Sequence, residues 1–499
     1  MKRNPKDKKD AKNQKTHPEN TYDLVIIGAG LAGLTAAFEA IFSLNGTKKI
    51  LILEKLPTIG GNSKKATSGI NMLSTPIQEK EGVKDSETLF FEDTMKSGKD
   101  LNDPQLVSTL INDSSSLYTF LKEEVGIELP NLSTLGGHSV ARTHRPNNST
   151  IGAYLVEAFY KKLKDIPNIE IVCNATAFEL LTDQENRKIV GLKYYLDENK
   201  DNLIFLNTNS IILSTGGFGA DFYSDDSLLR EFAKEKARFP TTNGAQTQGI
   251  GIKMARKLDI KLVDMDKIQL HPTGFIDPFN RYSKTKVLAP ELFRAVGAIL
   301  INQKGERFCN ELGTRDYIVE KILKNCKKAK SSLIDQYESY LFLDQDALKN
   351  FGEKADFYIK KQYLSKFQNL YDFAEKYNLL DYYYSLVETI IAFKSSCKSK
   401  NDIFGRASFP PKFSIDGPFY AGIITPCIHY CMGGVCINKD GELIKNNGEI
   451  LKGLFAAGEI TGGVHGGNRL GGNSLMECIV FGRRVAKSAI NYIKILEEQ

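Results

Sequence analysis

Residues 22–33 read YDLVIIGAGLAG, and this stretch decides the fold. The apolar run before Gly28 is typical of a buried strand, and Gly28 permits the tight turn that follows it. Gly30 lets the backbone approach a pyrophosphate, and Gly33 lets a helix pack closely on the strand. The pattern therefore predicts a strand, a glycine-rich turn and a helix that together bind a dinucleotide.

An acidic residue follows at the distance that such a site needs. A second apolar strand is predicted at residues 50–53, and it ends at Glu54, about twenty residues after the last glycine of the turn. A carboxylate at this point accepts hydrogen bonds from an adenosine ribose, while the helix that begins near Leu31 directs its positive end at the phosphates. A membrane span over residues 24–42 is the rival interpretation, and the glycine and glutamate interruptions argue against it.

Glycine-rich stretches recur further along the chain. STGGFG at residues 214–219 follows an apolar run, and a strand that ends in Thr-Gly-Gly suits close contact between backbone and ligand. Near the other end, GLFAAGE at residues 453–459 leads into GGVHGGNRLGGNSL at residues 462–475. Together with the N-terminal turn and its acid, these stretches indicate a flavoprotein.

The composition is that of a large globular protein with a basic N-terminal segment. The chain has 499 residues, enough for two or three domains, and a formal net charge of +6. Residues 1–20 contain seven Lys or Arg and three acidic residues. This segment is predicted to be a disordered, solvated tail rather than a tether for nucleic acid or membrane. It lacks the apolar core of a secretory signal, and no membrane anchor is expected.

Eight cysteines are scattered along the chain, which is unlike a disulfide framework and favours a reducing compartment. Cys427, Cys431 and Cys436 lie close together in sequence, but no CxxC pair accompanies them, so no metal site is predicted. The cytosol is the first expectation for the compartment. A mitochondrial or other organellar lumen is the alternative.

Hydrophobic periodicity gives a coarse order of elements. Residues 170–216 are expected to form a strand followed by an antiparallel meander. Residues from about 263 to 426 form a separate unit with a basic, aromatic helical stretch at residues 363–393. Three further helices are expected, at residues 87–95, 104–123 and 151–163.

Several motifs in order carry a family resemblance that spans about residues 22 to 486. They read YDLVIIGAGLAGL, IGGNSKKATSGIN, STGGFG, QLHPTGF, GERFCNELGTRD, HYCMGGV, GLFAAGEITGGVHGGNRLGGNSL and FGRR. This series resembles the fumarate reductase and succinate dehydrogenase flavoprotein superfamily. It is most similar to the soluble, single-subunit fumarate reductases of the flavocytochrome c type.

The resemblance implies an α/β fold, in which a Rossmann-like FAD-binding domain is interrupted by an α+β capping domain. It implies that residues 21–262 and 427–499 bind FAD, that residues 263–426 form the cap, and that residues 1–20 are the tail. The active site would lie in the cleft. The implied FAD contacts are Gly28, Gly30, Gly33, Glu54, Gly61, Asn62, Ser63, Ser68, Gly69, Ala177, Thr215, Gly216, Glu459, Ser474 and Leu475.

A dicarboxylate substrate needs a cation or hydrogen-bond donor at each end, and arginine suits carboxylates because its planar fork donates two parallel hydrogen bonds. Arg469, in GGNRLGG, is the expected clamp. By resemblance, His429 lies at the same carboxylate and His271 lies at the other one. His465 is expected to support FAD or its loop. A surface position or a hydrogen-bonded core position is the alternative for each histidine.

Reduction of an activated alkene needs a hydride for one carbon and a proton for the other, and flavin N5 supplies the hydride. The resemblance implies that Arg315, in ELGTRD, donates the proton and that Glu291 and Arg294, in PELFRAVG, relay it inward. A guanidinium holds its proton far above neutral pH, so this role requires carbanion charge directly against Arg315 in a closed, dry site. Without the resemblance, Arg315 reads as a salt-bridge residue.

Three positions depart from the family pattern. Pro290 stands where a hydroxyl or small residue often precedes the relay glutamate, which leaves the second carboxylate more dependent on His271 and backbone groups. Ile250 stands where a flavin-side acid is common, so FAD affinity or potential is expected to differ. Lys64 lies near the place of the histidine that binds FAD covalently in membrane-bound relatives, so FAD is expected to be non-covalent.

The expected protein is an FAD-dependent fumarate reductase that forms succinate. An external electron donor, either free reduced flavin or a reductase, is expected because neither a haem motif nor a second dinucleotide turn is found. No nucleic acid partner is expected, and the enzyme is expected to be a monomer. The alternatives are a related alkene reductase of the urocanate type, an enzyme of the L-aspartate oxidase type, and a flavin-binding protein with little turnover.

Overall fold

The structure is a computed structural model that describes residues 21–43, 48–147, 149–331 and 333–499. The basic segment at residues 1–20, for which a disordered tail is predicted, lies outside the described residues.

Helices alternate with strands along most of the chain, as expected for an α/β protein. The helices are α1 (Leu31–Ser43), α2 (Pro76–Lys80), α3 (Glu87–Ser97), α4 (Pro104–Ser114), α5 (Leu117–Thr119), α6 (Ile151–Leu163), α7 (Leu228–Phe232), α8 (Ile250–Arg256), α9 (Glu291–Ala295), α10 (Arg315–Asn325), α11 (Gln345–Phe351), α12 (Ala355–Lys360), α13 (Leu370–Lys376), α14 (Tyr383–Ser399) and α15 (Asn473–Glu497). None of them, in the part of the chain that the structure describes, is both long and apolar enough to cross a membrane.

The strands form two large sheets and several small ones. They are β1 (Leu24–Ile27), β2 (Ile50–Leu53), β3 (Ile70–Asn71), β4 (Asn131–Ser133), β5 (Thr143–Arg145), β6 (Ile169–Val172), β7 (Ala175–Thr182), β8 (Ile189–Leu196), β9 (Ile204–Asn207), β10 (Ile211–Leu213), β11 (Leu262–Val263), β12 (Ile268–Phe275), β13 (Val287–Leu288), β14 (Ile299–Ile301), β15 (Lys327–Lys328), β16 (Tyr337–Asp344), β17 (Ser365–Phe367), β18 (Phe419–Cys431), β19 (Gly434–Val435), β20 (Glu442–Ile444) and β21 (Ile450–Ala456).

The first large sheet has the strand order β20-β21-β10-β1-β2-β6 and is parallel from β21 to β6. Strands β1, β2 and β10 are apolar runs that are buried along their whole length, which is the pattern of a parallel sheet covered on both faces. Parallel strands end at the same edge, so the segments after β1, β2, β10 and β21 meet there. That edge is where ligands bind in sheets of this kind.

The second large sheet has the order β13-β12-β18-β16-β14, and all of these pairs are antiparallel. Two hydrophobic cores lie against this sheet, and both consist of residues between Phe275 and Ile424. A separate, larger core surrounds the parallel sheet and helices α1 and α15. Strand β18 is central to the second sheet, and its C-terminal end reaches back to the first core through Ile428 and Cys431.

The structure confirms the predicted strand–turn–helix at the N-terminus, the strand before Glu54 and the antiparallel meander, which comprises β7, β8 and β9. Strand β10, expected to continue the meander, instead pairs with β1 in the parallel sheet. The hydrophobic period of β10 is the same whether it continues the meander or joins the parallel sheet, so the sequence could not distinguish these two pairings.

Two predicted helices are wrong in extent. The helix predicted at residues 104–123 ends at Ser114, where a run of three serines interrupts it, and a π-helical segment follows over Phe120–Val125. The helical stretch predicted at residues 363–393 contains strand β17 and two helices. Asn369 caps the first of these helices by accepting a hydrogen bond from Asp372 N, and Asn378 leaves it with φ of 56°.

Candidate active site

The turn after β1 has the geometry that its glycines predict. Gly28 adopts φ of 106°, and a Cβ atom there would lie 2.4 Å from the backbone oxygen of Ser214, at the end of β10. A Cβ atom on Gly33 would lie 2.0 Å from Gly28 O. Both positions therefore require glycine because backbone approaches backbone, and this close packing brings the N-terminus of α1 to the end of β10.

Glu54 occupies the carboxyl end of β2, beside this turn. Its carboxylate accepts hydrogen bonds from the backbone N–H groups of Ala29 and Leu56, each 2.9 Å away. Burial raises the pKa of the Glu54 carboxyl above its ordinary value. A ribose hydroxyl is the kind of donor that such a buried acceptor binds.

The segment after β2 forms the next wall. Ser63 Oγ accepts a hydrogen bond from Leu31 N at 3.2 Å, so it occupies the N-terminus of α1. The side-chain amide of Asn62 donates to Asn243 Oδ1 at 2.8 Å and to Thr247 Oγ1 at 2.9 Å. These bonds join the IGGNSKKATSGIN motif to the segment before α8.

One continuous cavity of about 700 Å³ brings the predicted site residues together. Gly33, Glu291, Arg294 and His465 are the predicted residues that do not line it. Those that do are Gly28, Gly30, Glu54, Gly61, Asn62, Ser63, Ser68, Gly69, Ala177, Thr215, Gly216, Glu459, Ser474, Leu475, His271, His429, Arg315 and Arg469.

The residues of this cavity fit an FAD molecule. A Cβ atom on Gly61 or Gly216 would meet no atom within 4 Å, although both glycines line the cavity and have positive φ. Their backbone therefore faces open space that a flat or extended ligand can occupy. The hydroxyl oxygen of Thr215 is buried without a hydrogen-bond partner in the described residues. A dinucleotide requires hydrogen-bond acceptors such as Glu54, N–H groups at a helix N-terminus, and donors that have no partner in the protein.

At the far end of the cavity, His271 on β12 and His429 on β18 face each other with ring centroids 5.0 Å apart. Burial, followed by the charge of Arg315, holds the pKa of both imidazoles well below the ordinary value. Thr273 N donates to His271 Nδ1 at 3.2 Å, so the proton of the neutral His271 ring is on Nε2. His429 Nδ1 lies 2.8 Å from the hydroxyl oxygen of Thr242.

Arg469 lies in the glycine-rich loop before α15 and is buried, with 4% of its surface exposed. Its guanidinium carbon stands 4.4 Å from the ring centroid of Tyr430, and its Nε has no hydrogen-bond partner among the described residues. Burial, followed by the charge of Arg315, lowers the pKa of Arg469 to about 10. It remains a cation at neutral pH and has donors to spare for an anion.

Arg315 is the first residue of α10, and it is anchored on two sides. Its Nη2 and Nε donate to Glu291 Oε2 at 3.2 and 3.3 Å, and its Nη1 donates to Gln269 Oε1 at 2.8 Å. Burial alone would raise the pKa of Glu291, but Arg315 and Arg294 outweigh it and hold that pKa below its ordinary value. Glu291 is thus a carboxylate.

Arg294 lies behind Glu291 on the same face of α9. Its Nη2 is 3.8 Å from Glu291 Oε2, and its Nη1 donates to the backbone oxygen of Glu311. Both Nε and Nη2 are buried without a hydrogen-bond partner in the described part of the chain. The three predicted relay residues therefore form one buried series in the order Arg315, Glu291 and Arg294.

The sequence reasoning missed four residues of this site. Gln269 donates to Asn468 Oδ1 and to Arg469 O, both at 3.0 Å, and so ties Arg315 to the Arg469 loop. The other three are Gly136, Tyr430 and Glu477. Only Gln269 carried a local signal, because residues two apart on a strand share a face and QLHPTG therefore places Gln269 beside His271.

His465, expected to support FAD or its loop, does not line the cavity and lies 2.9 Å from Glu477 Oε2 through its Nε2 atom. The structure also locates the three residues that depart from the family pattern. Pro290 caps α9 and lines the cavity beside Leu292, and Ile250 lines it at the start of α8. Lys64 is half-exposed, and its Nζ is 3.6 Å from Glu157.

Comparison with known proteins gives consistent results. Residues 23–475 match the FAD binding domain family. The chain is 40% identical over 477 residues to fumarate reductase 1 of Saccharomyces cerevisiae, covering 94% of this chain and 98% of the relative. It is 37% identical over 479 residues to a fumarate reductase of Schizosaccharomyces pombe, covering 94% and 90%.

Among solved structures, the open conformation of a flavocytochrome c3 fumarate reductase superposes with a TM-score of 0.74 at 29% identity, covering 95% of this chain and 79% of that one. A urocanate reductase of Eggerthella lenta is more distant than the two yeast proteins, at 28% identity over 94% of this chain and 74% of its own.

Proposed function

The chain belongs to the FAD binding domain family, and on that premise we propose that it is an FAD-dependent fumarate reductase, which reduces fumarate to succinate. The observation that carries the proposal is the junction of two sites in one cavity. The dinucleotide-binding edge of the parallel sheet opens directly onto Arg469, the two neutral histidines and the buried Arg315–Glu291 pair.

The walls around Gly28, Glu54 and Gly216 would hold FAD at the edge of the sheet. When bound, reduced FAD supplies the hydride that an alkene acceptor requires. We propose that FAD is held without a covalent bond. Lys64 supports this because its amine pairs with Glu157 at the surface and does not line the cavity.

The substrate carboxylates find donors on the other side of the cavity. Arg469 binds one carboxylate with the donors that its own surroundings leave free, and His429 supports the same group. His271 donates through Nε2 to the other carboxylate, since Thr273 occupies its Nδ1. Two anchored ends orient the alkene between the hydride source and Arg315, which is how binding energy contributes to the rate.

Arg315 is positioned to give a proton to the second alkene carbon. Its two anchors, Glu291 and Gln269, fix the plane of the guanidinium toward the cavity. The Glu291 carboxylate then accepts a proton from Arg294 on the buried side and passes it to Arg315. An arginine acid requires a site in which developing negative charge is directly opposite the guanidinium and water is excluded. The 7% exposure of Arg315 supports the second condition.

We further propose the division of the chain at residues 263 and 426. Two hydrophobic cores lie wholly between these positions, whereas the core around the parallel sheet takes only four buried residues from this range, Met265, Ile268, Leu270 and Val319. A free reduced flavin or a reductase serves as electron donor to a monomeric enzyme. The eight cysteines are all free thiols, which supports a reducing compartment, the cytosol first and an organellar lumen second.

The test is anaerobic reoxidation of the bound flavin. The purified yellow protein is reduced with dithionite, the excess is removed, and flavin absorbance is followed after addition of fumarate, urocanate or crotonate. Rapid reoxidation by fumarate alone supports the proposal. Reoxidation by urocanate alone would identify a urocanate-type reductase, whereas peroxide formed from aspartate in air would identify an oxidase of the L-aspartate type.

The same assay tests the proton donor. Loss of a general acid lowers rates by about 10² to 10⁴-fold, so Arg315→Ala should reoxidise far more slowly with fumarate. Arg256→Ala is the matched control, because Arg256 pairs with Glu231 at the surface. An Arg315→Ala variant with full activity would remove Arg315 from the mechanism.

A further inference from the structure

Arg469 is a buried cation without an ion pair among the described residues. Its Nη1 makes a long bond of 3.4 Å to Leu470 O, and Nε has no hydrogen-bond partner in that part of the structure. A buried guanidinium that lacks a carboxylate needs another source of negative potential, because the loss of hydration disfavours its charge. The face of the Tyr430 ring is such a source, and its centroid is 4.4 Å from the guanidinium carbon.

A buried anion lies at the hydroxyl end of that ring. The hydroxyl of Tyr430 donates to Glu477 Oε2 at 2.6 Å, and His465 Nε2 lies 2.9 Å from the same oxygen. The hydroxyl oxygen of Thr461 lies 3.3 Å from the other carboxylate oxygen, although its shorter hydrogen bond, of 2.9 Å, is to Gly458 O. Glu477 is on α15 and none of its surface is exposed. The short Tyr430 bond and the neighbouring donors are those of a carboxylate that is hydrogen-bonded from several sides.

The placement of Glu477 has a chemical consequence for Arg469. A carboxylate in direct contact would occupy the guanidinium fork and compete with the carboxylate of a substrate. A carboxylate that accepts the phenol hydroxyl makes the ring more electron-rich, while the guanidinium fork of Arg469 stays free. The cation is thus stabilised and oriented without being neutralised.

We propose that Tyr430 and Glu477 are positioning residues for Arg469, which hold the buried guanidinium charged, in plane and free to bind a carboxylate. This inference rests on the proposed function, since it takes Arg469 to be the substrate clamp. The rival explanation is that the Tyr430–Glu477 pair only packs α15 against β18. A packing role predicts lower stability and weaker FAD retention, but no selective loss of dicarboxylate affinity.

The experiment uses FAD-loaded enzyme with three substitutions, Tyr430→Phe, Tyr430→Leu and Glu477→Gln. The dissociation constant of succinate from the oxidised holoenzyme is measured by calorimetry, and kcat and KM for fumarate are measured with dithionite-reduced enzyme. Tyr430→Phe keeps the stack and loses the Glu477 bond, so succinate affinity should fall about 3-fold to 10-fold. Tyr430→Leu also loses the stack and should weaken binding about 10-fold to 30-fold.

Glu477→Gln keeps the shape and removes the charge, so its effect should match that of Tyr430→Phe. In every variant KM should rise while kcat stays within about 3-fold of wild type. The reason is that the lost interaction stabilises the bound substrate and the transition state equally. Two matched controls change residues away from the cavity. Tyr492→Phe alters a tyrosine of α15 whose ring packs near Phe455. Glu39→Gln alters a carboxylate of α1 that pairs with Arg483 of α15.

Unchanged succinate affinity in FAD-loaded Tyr430→Phe and Glu477→Gln would overturn the inference, as would a fall in kcat at constant KM. If Tyr430→Leu does not retain FAD, the succinate affinities of Tyr430→Phe and Glu477→Gln decide whether the inference holds. Wild-type enzyme that reoxidises with fumarate while the variants keep their succinate affinity rejects this inference alone. Wild-type enzyme that neither binds succinate nor reoxidises with fumarate rejects the proposed function, and this inference with it.

Discussion

The backbone N–H of Gly136 donates a hydrogen bond of 2.7 Å to Oε1 of Glu291. The two residues come from different parts of the chain, since Gly136 precedes β5 of a small sheet and Glu291 begins α9 beside the second large sheet. A Cβ atom on Gly136 would lie 2.6 Å from Gly313 O and 3.0 Å from Glu291 Oε1. The carboxylate of Glu291, the proposed proton relay, is therefore bound from outside its own sheet, at a contact that only glycine permits.

Gly136→Ala should slow proton delivery. The added methyl group displaces the loop from Glu291 and removes a hydrogen bond to a charged group, so kcat for fumarate should fall about 10-fold to 100-fold. Succinate affinity should change far less, because Arg469 and the histidines are not displaced. Single-turnover reoxidation of the reduced flavin is the measurement. Gly82→Ala is the control for a glycine substitution, because it carries the backbone strain of φ 67° but its Cβ atom meets no atom within 4 Å.

Gln269→Leu should separate Arg315 from the Arg469 loop. The substitution removes the acceptor that fixes Arg315 Nη1 at 2.8 Å and leaves that buried donor unsatisfied. We expect kcat to fall about 10-fold to 100-fold with FAD content unchanged. Gln269→Glu should also be impaired, because a second carboxylate on Arg315 opposes release of its proton. Wild-type kcat in both variants would show that Gln269 does not orient Arg315.

Gly30→Ala and Gly33→Ala should fail in different ways. A Cβ atom on Gly30 would be 3.6 Å from Ser63 Oγ, an ordinary contact, but Gly30 lines the cavity. Gly30→Ala should therefore fold normally and retain less FAD. A Cβ atom on Gly33 would be 2.0 Å from Gly28 O, so Gly33→Ala should lower the thermal midpoint of the FAD-free protein as well. FAD content after gel filtration and calorimetry of the FAD-free form distinguish the two outcomes.

Glu459 should give a pH dependence to stability. Burial raises the pKa of its carboxyl to about 8, so in the FAD-free fold it is protonated at neutral pH, whereas in the unfolded chain it is ionised. The contribution of the protonated Glu459 carboxyl to stability is fully present below about 4.5, the pKa of this group in the unfolded chain. It is lost as pH rises through about 8, the pKa of the group in the fold. Between these limits the free energy of unfolding should fall by up to about 1.4 kcal/mol per pH unit.

The measurement is urea unfolding of the FAD-free protein at about pH 6 and about pH 8, compared with Glu459→Gln. Glutamine mimics the neutral acid and does not titrate, so the variant should lack this component. Equal pH dependence in the two proteins would mean that Glu459 is already ionised in the fold.

The sequence predicted those parts of the site that depend on local backbone geometry. Gly28, Gly33 and Glu54 are recognisable because a tight turn, a helix contact and a strand end require particular residues at particular spacings. Gly136 and Glu477 gave no such signal. Gly136 contacts Glu291 and Glu477 contacts Tyr430, and both partners are more than forty residues away in the chain. A lone glycine or a helix glutamate fits many environments equally well.

The fold was predictable to a similar depth. Apolar runs identified the buried parallel strands, whereas pairing partners were not encoded locally, as the placement of β10 shows. Helix boundaries failed where tertiary contacts outweighed periodicity. The residues that became β17 read as part of an amphipathic helix, but they pair with β18 through Ser365 and Ala421.

The parallel sheet also sets an order of events during synthesis. Strand β1 ends at Ile27, and it pairs with β10, whose other side pairs with β21. Ser474 and Leu475, later still in the chain, complete the cavity wall. Translation must reach Leu475 before a nascent chain carries every wall of the cofactor cavity. Until β21 has formed, the side of β10 that pairs with it is an open strand edge, and such an edge is exposed to pairing with another chain.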